Sequence, residues 1–77
     1  MISTTHTLDG VRVKPGLRVW DYDLRRRIVG EPNRWQNPNE DTWYEMIIPD
    51  GPHAGQTGST MNASRMWVRH PYTGETA

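Results

Sequence analysis

The chain contains no cysteine, so neither a disulfide framework nor a thiolate metal site can hold it together. It also carries no surplus of either charge: nine Lys plus Arg stand against nine Asp plus Glu, a net of zero. A protein that coats nucleic acid by charge alone is expected to be strongly basic, so that class is disfavoured. Nor is there a run near the ~20 apolar residues needed to cross a bilayer. The opening Met1-Ile2-Ser3-Thr4-Thr5-His6-Thr7 has no basic stretch leading into an apolar block, so no signal peptide is read there. The expected location is the cytoplasm, with no membrane association.

With 77 residues there is room for one core. A chain this short buries only about 60% of its unfolded surface, and its margin of stability is thin. Four tryptophans and three tyrosines supply much of the area available for burial. Eight of the nine basic residues are arginine, which suits planar and bidentate contacts.

Turn signals are dense. Pro15-Gly16, Gly30-Glu31-Pro32-Asn33, Asn37-Pro38-Asn39, Pro49-Asp50-Gly51-Pro52 and Pro71 fall too close together for ordinary helices. Between them lie short segments rich in Val, Ile, Trp, Tyr and Thr, which read as strands. A short strand at Val11–Val13 can lead. The strands that follow are Leu17–Tyr22, Arg25–Gly30, Thr42–Ile48, a weaker one at about Gln56–Met61, and Met66–Arg69. Asn62–Arg65 reads as one helical or 3₁₀ turn. The expected architecture is all-β: a five-stranded SH3-like barrel spanning 8–71, with a loose tail at 1–7 and another at 72–77. Closing the sheet would remove aggregation-prone edges.

Side chains alternate across a strand, so each strand's core face can be read from its apolar phase. Glu45 marks the outward face of its strand and carries Trp43 with it. Trp67 shares its face with Arg69, and Trp20 shares its face with Arg18. The expected core is Leu17, Val19, Ile28 or Val29, Tyr44, Met46, Ile48, Met61, Met66 and Val68. Trp20, Trp43 and Trp67 fall outside it, and Trp35 in the long connection 31–41 can join them. Those indoles either lie under a loop or present a patch to a partner. Tryptophan and arginine are the residue types enriched at protein interfaces. Trp20, Trp43, Trp67, Trp35, Arg18 and Arg69 are therefore the expected contact face for a protein partner.

Arg25-Arg26-Arg27, with Arg34, is the second constellation. It either solvates a strand start facing Asp21, Asp23 and Glu31, or contacts phosphate on RNA or single-stranded DNA. A homodimer through the tryptophan face is the third possibility. His6, His53 and His70 are too widely spaced for a zinc site, and Asp21-Tyr22-Asp23 lacks a third ligand for a cation. The segment 55–60 opens no helix and has no lysine, so it is not a phosphate loop. No nucleophile–base arrangement stands out. A binding module without catalysis, metal or cofactor is expected.

Pro15-Gly16-Leu17-Arg18-Val19, Asp23-Leu24-Arg25-Arg26, Trp43-Tyr44-Glu45-Met46 and Asn62-Ala63-Ser64-Arg65-Met66, with His70-Pro71 after them, form a recognisable series over residues 10–71. The series resembles small uncharacterised proteins of actinobacterial phages that look like SH3-like barrels of the KOW or Tudor type. The resemblance implies a phage factor that engages a host protein or host nucleic acid. Two departures bear on this: only Tyr44 faces inward where a methyl-reading Tudor domain has an aromatic cage, and KOW modules are usually more basic.

Overall fold

A computed structural model describes residues 6–32 and 43–77. The protein is all-β. Strands β1 (Arg18–Trp20), β2 (Arg26–Pro32), β3 (Trp43–Ile47) and β4 (Thr57–Asn62) form one antiparallel sheet in chain order. A 3₁₀ turn at Ala63–Arg65 comes directly after β4. Among the described residues no helix is long and apolar enough to cross a membrane.

The alternation read from the sequence sets the core. In β3, Tyr44 and Met46 are buried while Trp43 and Glu45 are exposed. Val19 on β1 and Val29 on β2 are fully buried beside them, with Met66 and Ala63 from the end of the sheet. Val13 also joins this cluster, and Leu17, Met61 and Val68 pack against it partly buried. Val29, not Ile28, is the inward residue of β2. Ile28 and Ile48 stay half-buried outside the cluster. Met46 and Met66 are among the largest fully buried side chains. Truncating either to alanine costs about 2–5 kcal/mol, against about 3–5 kcal/mol from a single core of this size.

The described strands form an open, four-stranded sheet where a closed, five-stranded one was expected. The segment expected as the fifth strand contributes isolated bridges instead. One of them links β1 to this last segment. Trp20 and Trp67 exchange backbone hydrogen bonds, 2.6 Å from Trp20 N to the Trp67 carbonyl and 3.1 Å in return. Pro71 and the turn around it cut the segment short, and its backbone pairs with residues 75–77.

The two expected tails both pair where they are described. His6 bridges Arg12, and Thr7 is buried. At the other end Arg69 bridges Thr76. The Ala77 N–H reaches the Val68 carbonyl at 3.0 Å, and the His70 N–H reaches the Glu75 carbonyl at 2.8 Å. The expected loose segment 72–77 is thus laid back along 68–70.

Candidate functional site

Two turns and the bridge between them build the most distinctive surface. The first turn is Asp21–Arg25, which joins β1 to β2. Asp21 closes it through its backbone, N–H to the Arg25 carbonyl and carbonyl to the Leu24 N–H, both at 2.9 Å. Its buried carboxylate accepts the Arg25 N–H at 2.9 Å and faces Arg27 Nε at 3.6 Å. Within this turn Leu24 sits at φ 62°. Left-handed backbone costs a non-glycine residue about 1–2 kcal/mol, so the leucine side chain is kept here against local preference. Non-glycine residues in such regions cluster at binding sites.

The second turn is His70–Gly74. His70 Nδ1 accepts the N–H groups of Tyr72 (3.1 Å) and Thr73 (3.2 Å), and the Gly74 N–H closes onto the His70 carbonyl at 2.8 Å. Gly74 sits at φ 74°, the conformation such a turn exit requires.

Between these turns stands Trp67, fixed by its bridge to Trp20. Tyr22 stacks on it with ring centroids 6.0 Å apart and planes 16° from parallel. Such a pair contributes about 0.5–1.5 kcal/mol beyond burial. Tyr22, Leu24, Trp67, Pro71 and Tyr72 line a groove of about 350 Å³. Tyr22 is 56% exposed and Tyr72 84%. The lining has no ionisable acid or base apart from the two phenols. The guanidinium of Arg65, on the 3₁₀ turn, lies over the Tyr22 ring at 5.1 Å.

The sequence-predicted contact face is dispersed. Trp67 belongs to the groove. Trp20 does not: it is 6% exposed, which corrects the expectation of an outward indole. Trp20 stands apart from the main core cluster, and the returning C-terminal segment covers its ring. His70 meets the Trp20 ring edge-on at 4.9 Å, Arg26 lies over it at 4.8 Å, and the indole N–H donates to the Glu75 carbonyl at 2.9 Å. Trp43 is exposed at the start of β3, opposite Asn62, and does not line the groove. Arg18 and Arg69 are exposed elsewhere. Trp35 and Arg34 lie outside the described residues.

The arginine run splits as the strand alternation requires. Arg26 pairs with the Glu75 carboxylate, and Arg27 faces Asp21. Arg18, Arg26 and Arg27 share a smaller groove of about 190 Å³ with Ile28, Pro49 and Asp50. No group of three His, Asp or Glu side chains able to hold a metal occurs among the described residues.

Behind the groove, Asp9 ties the N-terminal segment to the wall. Its carboxylate accepts the N–H groups of Val68 (2.9 Å) and Arg69 (2.9 Å) and the Thr7 hydroxyl. Partial burial pushes the Asp9 carboxyl up, but these hydrogen bonds together outweigh it and hold it below its ordinary value.

Tyr22, Leu24, Arg65, Pro71 and Tyr72 were not singled out by sequence reasoning. Pro71-Tyr72-Thr73-Gly74 does carry a turn signature, proline early and glycine at its exit, which marks an ordered return. Nothing local announces that Leu24 takes positive φ. No family model matches the chain, and no curated protein or solved structure matches it either.

Proposed function

We propose that this protein is a non-catalytic protein-interaction module on an SH3-like barrel framework, and that it binds its partner through the Tyr22–Trp67–Tyr72 groove. The observation that carries the reading is the stacked Tyr22–Trp67 pair set beside a leucine held at φ 62°. An exposed aromatic wall on rigid turns presents large contact area at low entropic cost. The barrel reading is supported by the strand order, the 3₁₀ turn after β4 and the reciprocal Trp20–Trp67 bridge. In the phage setting that the sequence resemblance implies, the partner is a host protein.

Nucleic-acid binding through Arg25–Arg27 is the weaker reading, because Arg26 and Arg27 each already face a carboxylate. Self-association is a further alternative. A peptide-display selection against the folded domain, with Trp67→Ser as counter-target, tests the groove. Enriched sequences should bind the parent and lose binding to Trp67→Ser, with both proteins folded at the selection temperature even though losing the stacked ring lowers the melting transition of the variant. Enrichment that ignores the substitution, or a selection that yields nothing while oligonucleotides bind at low salt, overturns it.

A further inference from the structure

We infer that the groove takes an extended acidic peptide segment, with an apolar side chain against Leu24 and Pro71 and a carboxylate on Arg65. The inference rests on the groove reading and adds the chemistry of the occupant.

The lining side chains supply one group that can only donate and two tyrosine hydroxyls that can donate or accept. The indole N–H of Trp67 can only donate, and it has no partner among the described residues. The hydroxyls of Tyr22 and Tyr72 are likewise without one. An occupant that offers acceptors, such as backbone carbonyls and carboxylates, can satisfy all three. Charge selects further. Arg65 is exposed, lies over Tyr22, and forms no ion pair among the described residues, where the two ion pairs are Arg26–Glu75 and Arg27–Asp21. A guanidinium held over a ring by cation–π attraction still has N–H groups to offer a carboxylate. Asp23, exposed at the tip of the neighbouring turn, is the local group that would favour a basic segment instead. Neither it nor Arg65 lines the groove; Arg65 is the one of the two that lies over a lining ring, and the exposed Arg25 two residues on offsets Asp23.

Size fits the same occupant. About 350 Å³ is at the small end of ligand clefts, enough for a few side chains of an extended segment. The groove is open along its aromatic wall, which suits a chain that passes over it.

The test uses two labelled 12-residue peptides with one shared Leu/Pro/Ala centre, flanked in one by Asp and Glu and in the other by Lys and Arg. Binding is read by fluorescence anisotropy, and by the indole N–H resonance of Trp67 in ¹H–¹⁵N spectra, assigned with Trp67→Phe. The acidic peptide should bind at least about tenfold more tightly than the basic one at low salt, with the preference narrowing as salt rises. Arg65→Glu should reverse the preference, and Arg65→Lys should retain part of it. The remaining indole signals report whether each variant stays folded. Equal or stronger binding of the basic peptide, or a preference unmoved by Arg65→Glu, overturns the inference. So does displacement of the acidic peptide by an oligonucleotide that leaves the Trp67 signal in place. If a display-selected peptide of another composition shifts Trp67 while the acidic one does not, the occupant is wrong and the groove stands. If no peptide shifts Trp67, both fall.

Discussion

The indole N–H of Trp20 donates to the backbone carbonyl of Glu75, 55 residues away, at 2.9 Å. This bond and the Arg26–Glu75 ion pair fasten the C-terminal return over the Trp20 ring. The two contacts are unequal. The ion pair is about half exposed on both sides, and such pairs contribute about 0–1 kcal/mol. The Trp20 contact removes a large ring from solvent and satisfies its only donor. Glu75→Gln should therefore leave the melting transition nearly unmoved. Trp20→Phe should lose about 1 kcal/mol for the hydrogen bond alone, and deletion of residues 72–77 more than either. Thermal unfolding of the three variants checks the order. If Glu75→Gln is the most damaging, the ion pair is the fastener.

Leu24 offers a separation of stability from binding. Replacing it by glycine relieves about 1–2 kcal/mol of left-handed strain and restores about 0.5–1 kcal/mol of unfolded-chain freedom. It also removes the half-buried leucine side chain. These terms nearly cancel, so Leu24→Gly should shift stability by less than about 1 kcal/mol. Its effect on the groove is not cancelled, because the side chain is part of the lining. A peptide selected against the parent should bind Leu24→Gly several-fold more weakly. A large loss of stability with unchanged binding would make Leu24 a packing residue and nothing more.

What the sequence made legible was whatever depends on period. The all-β class, the inward set Val19, Tyr44, Met46 and Met66, and the helical turn at 63–65 all come from alternation and turn chemistry. The identity of the groove was not legible, because all its lining residues except Trp67 lie in turns, where no period operates. Tyr22 and Leu24 sit on a turn whose shape depends on the buried Asp21 carboxylate. Tyr72 was read as part of a tail, since the hydrogen bonds that order it run to His70 and, through Glu75, to Trp20. Alternation likewise puts Trp20 outward with Arg18, whereas distant residues bury it. Which face a side chain takes is local information; what lies on that face is not.

Asp9 predicts a pH effect with a definite sign. Its carboxyl is held below the ordinary value in the folded protein. The ionised form is thus favoured by folding, and this contribution is present at neutral pH. It is lost as pH falls from about 5 through the folded-state value. The parent should lose stability on acidification more steeply than Asp9→Asn, and the two curves should converge at low pH. At neutral pH Asp9→Asn should be the less stable, since an amide accepts the Val68 and Arg69 N–H groups less strongly than a carboxylate. Parallel curves from about pH 7 to about pH 3 would show that Asp9 contributes nothing through its charge.

Gly30 and Gly58 both lie inside strands, yet a methyl group added to each meets different surroundings. At Gly30 a Cβ would lie 3.1 Å from Ile47 Cδ1 and 3.2 Å from both the Cβ and the backbone carbonyl oxygen of Glu45. The isoleucine tip can swing aside, but the β3 backbone cannot move without disturbing the pairing that buries Met46. This is the stretch where the β2–β3 register slips, between Val29 and Pro32, so glycine there permits the close approach of the two strands. Gly30→Ala should cost about 1–3 kcal/mol, as overpacking does. At Gly58, on exposed β4, the nearest atoms are the Ile48 side chain at 3.4 Å, an ordinary contact. Its backbone is not in the left-handed region either, so alanine recovers about 0.5–1 kcal/mol of strand preference. Gly58→Ala should therefore leave the melting temperature unchanged or raise it, while Gly30→Ala lowers it. Equal losses at both sites would mean that strand propensity, and not the Glu45 backbone, decides these positions.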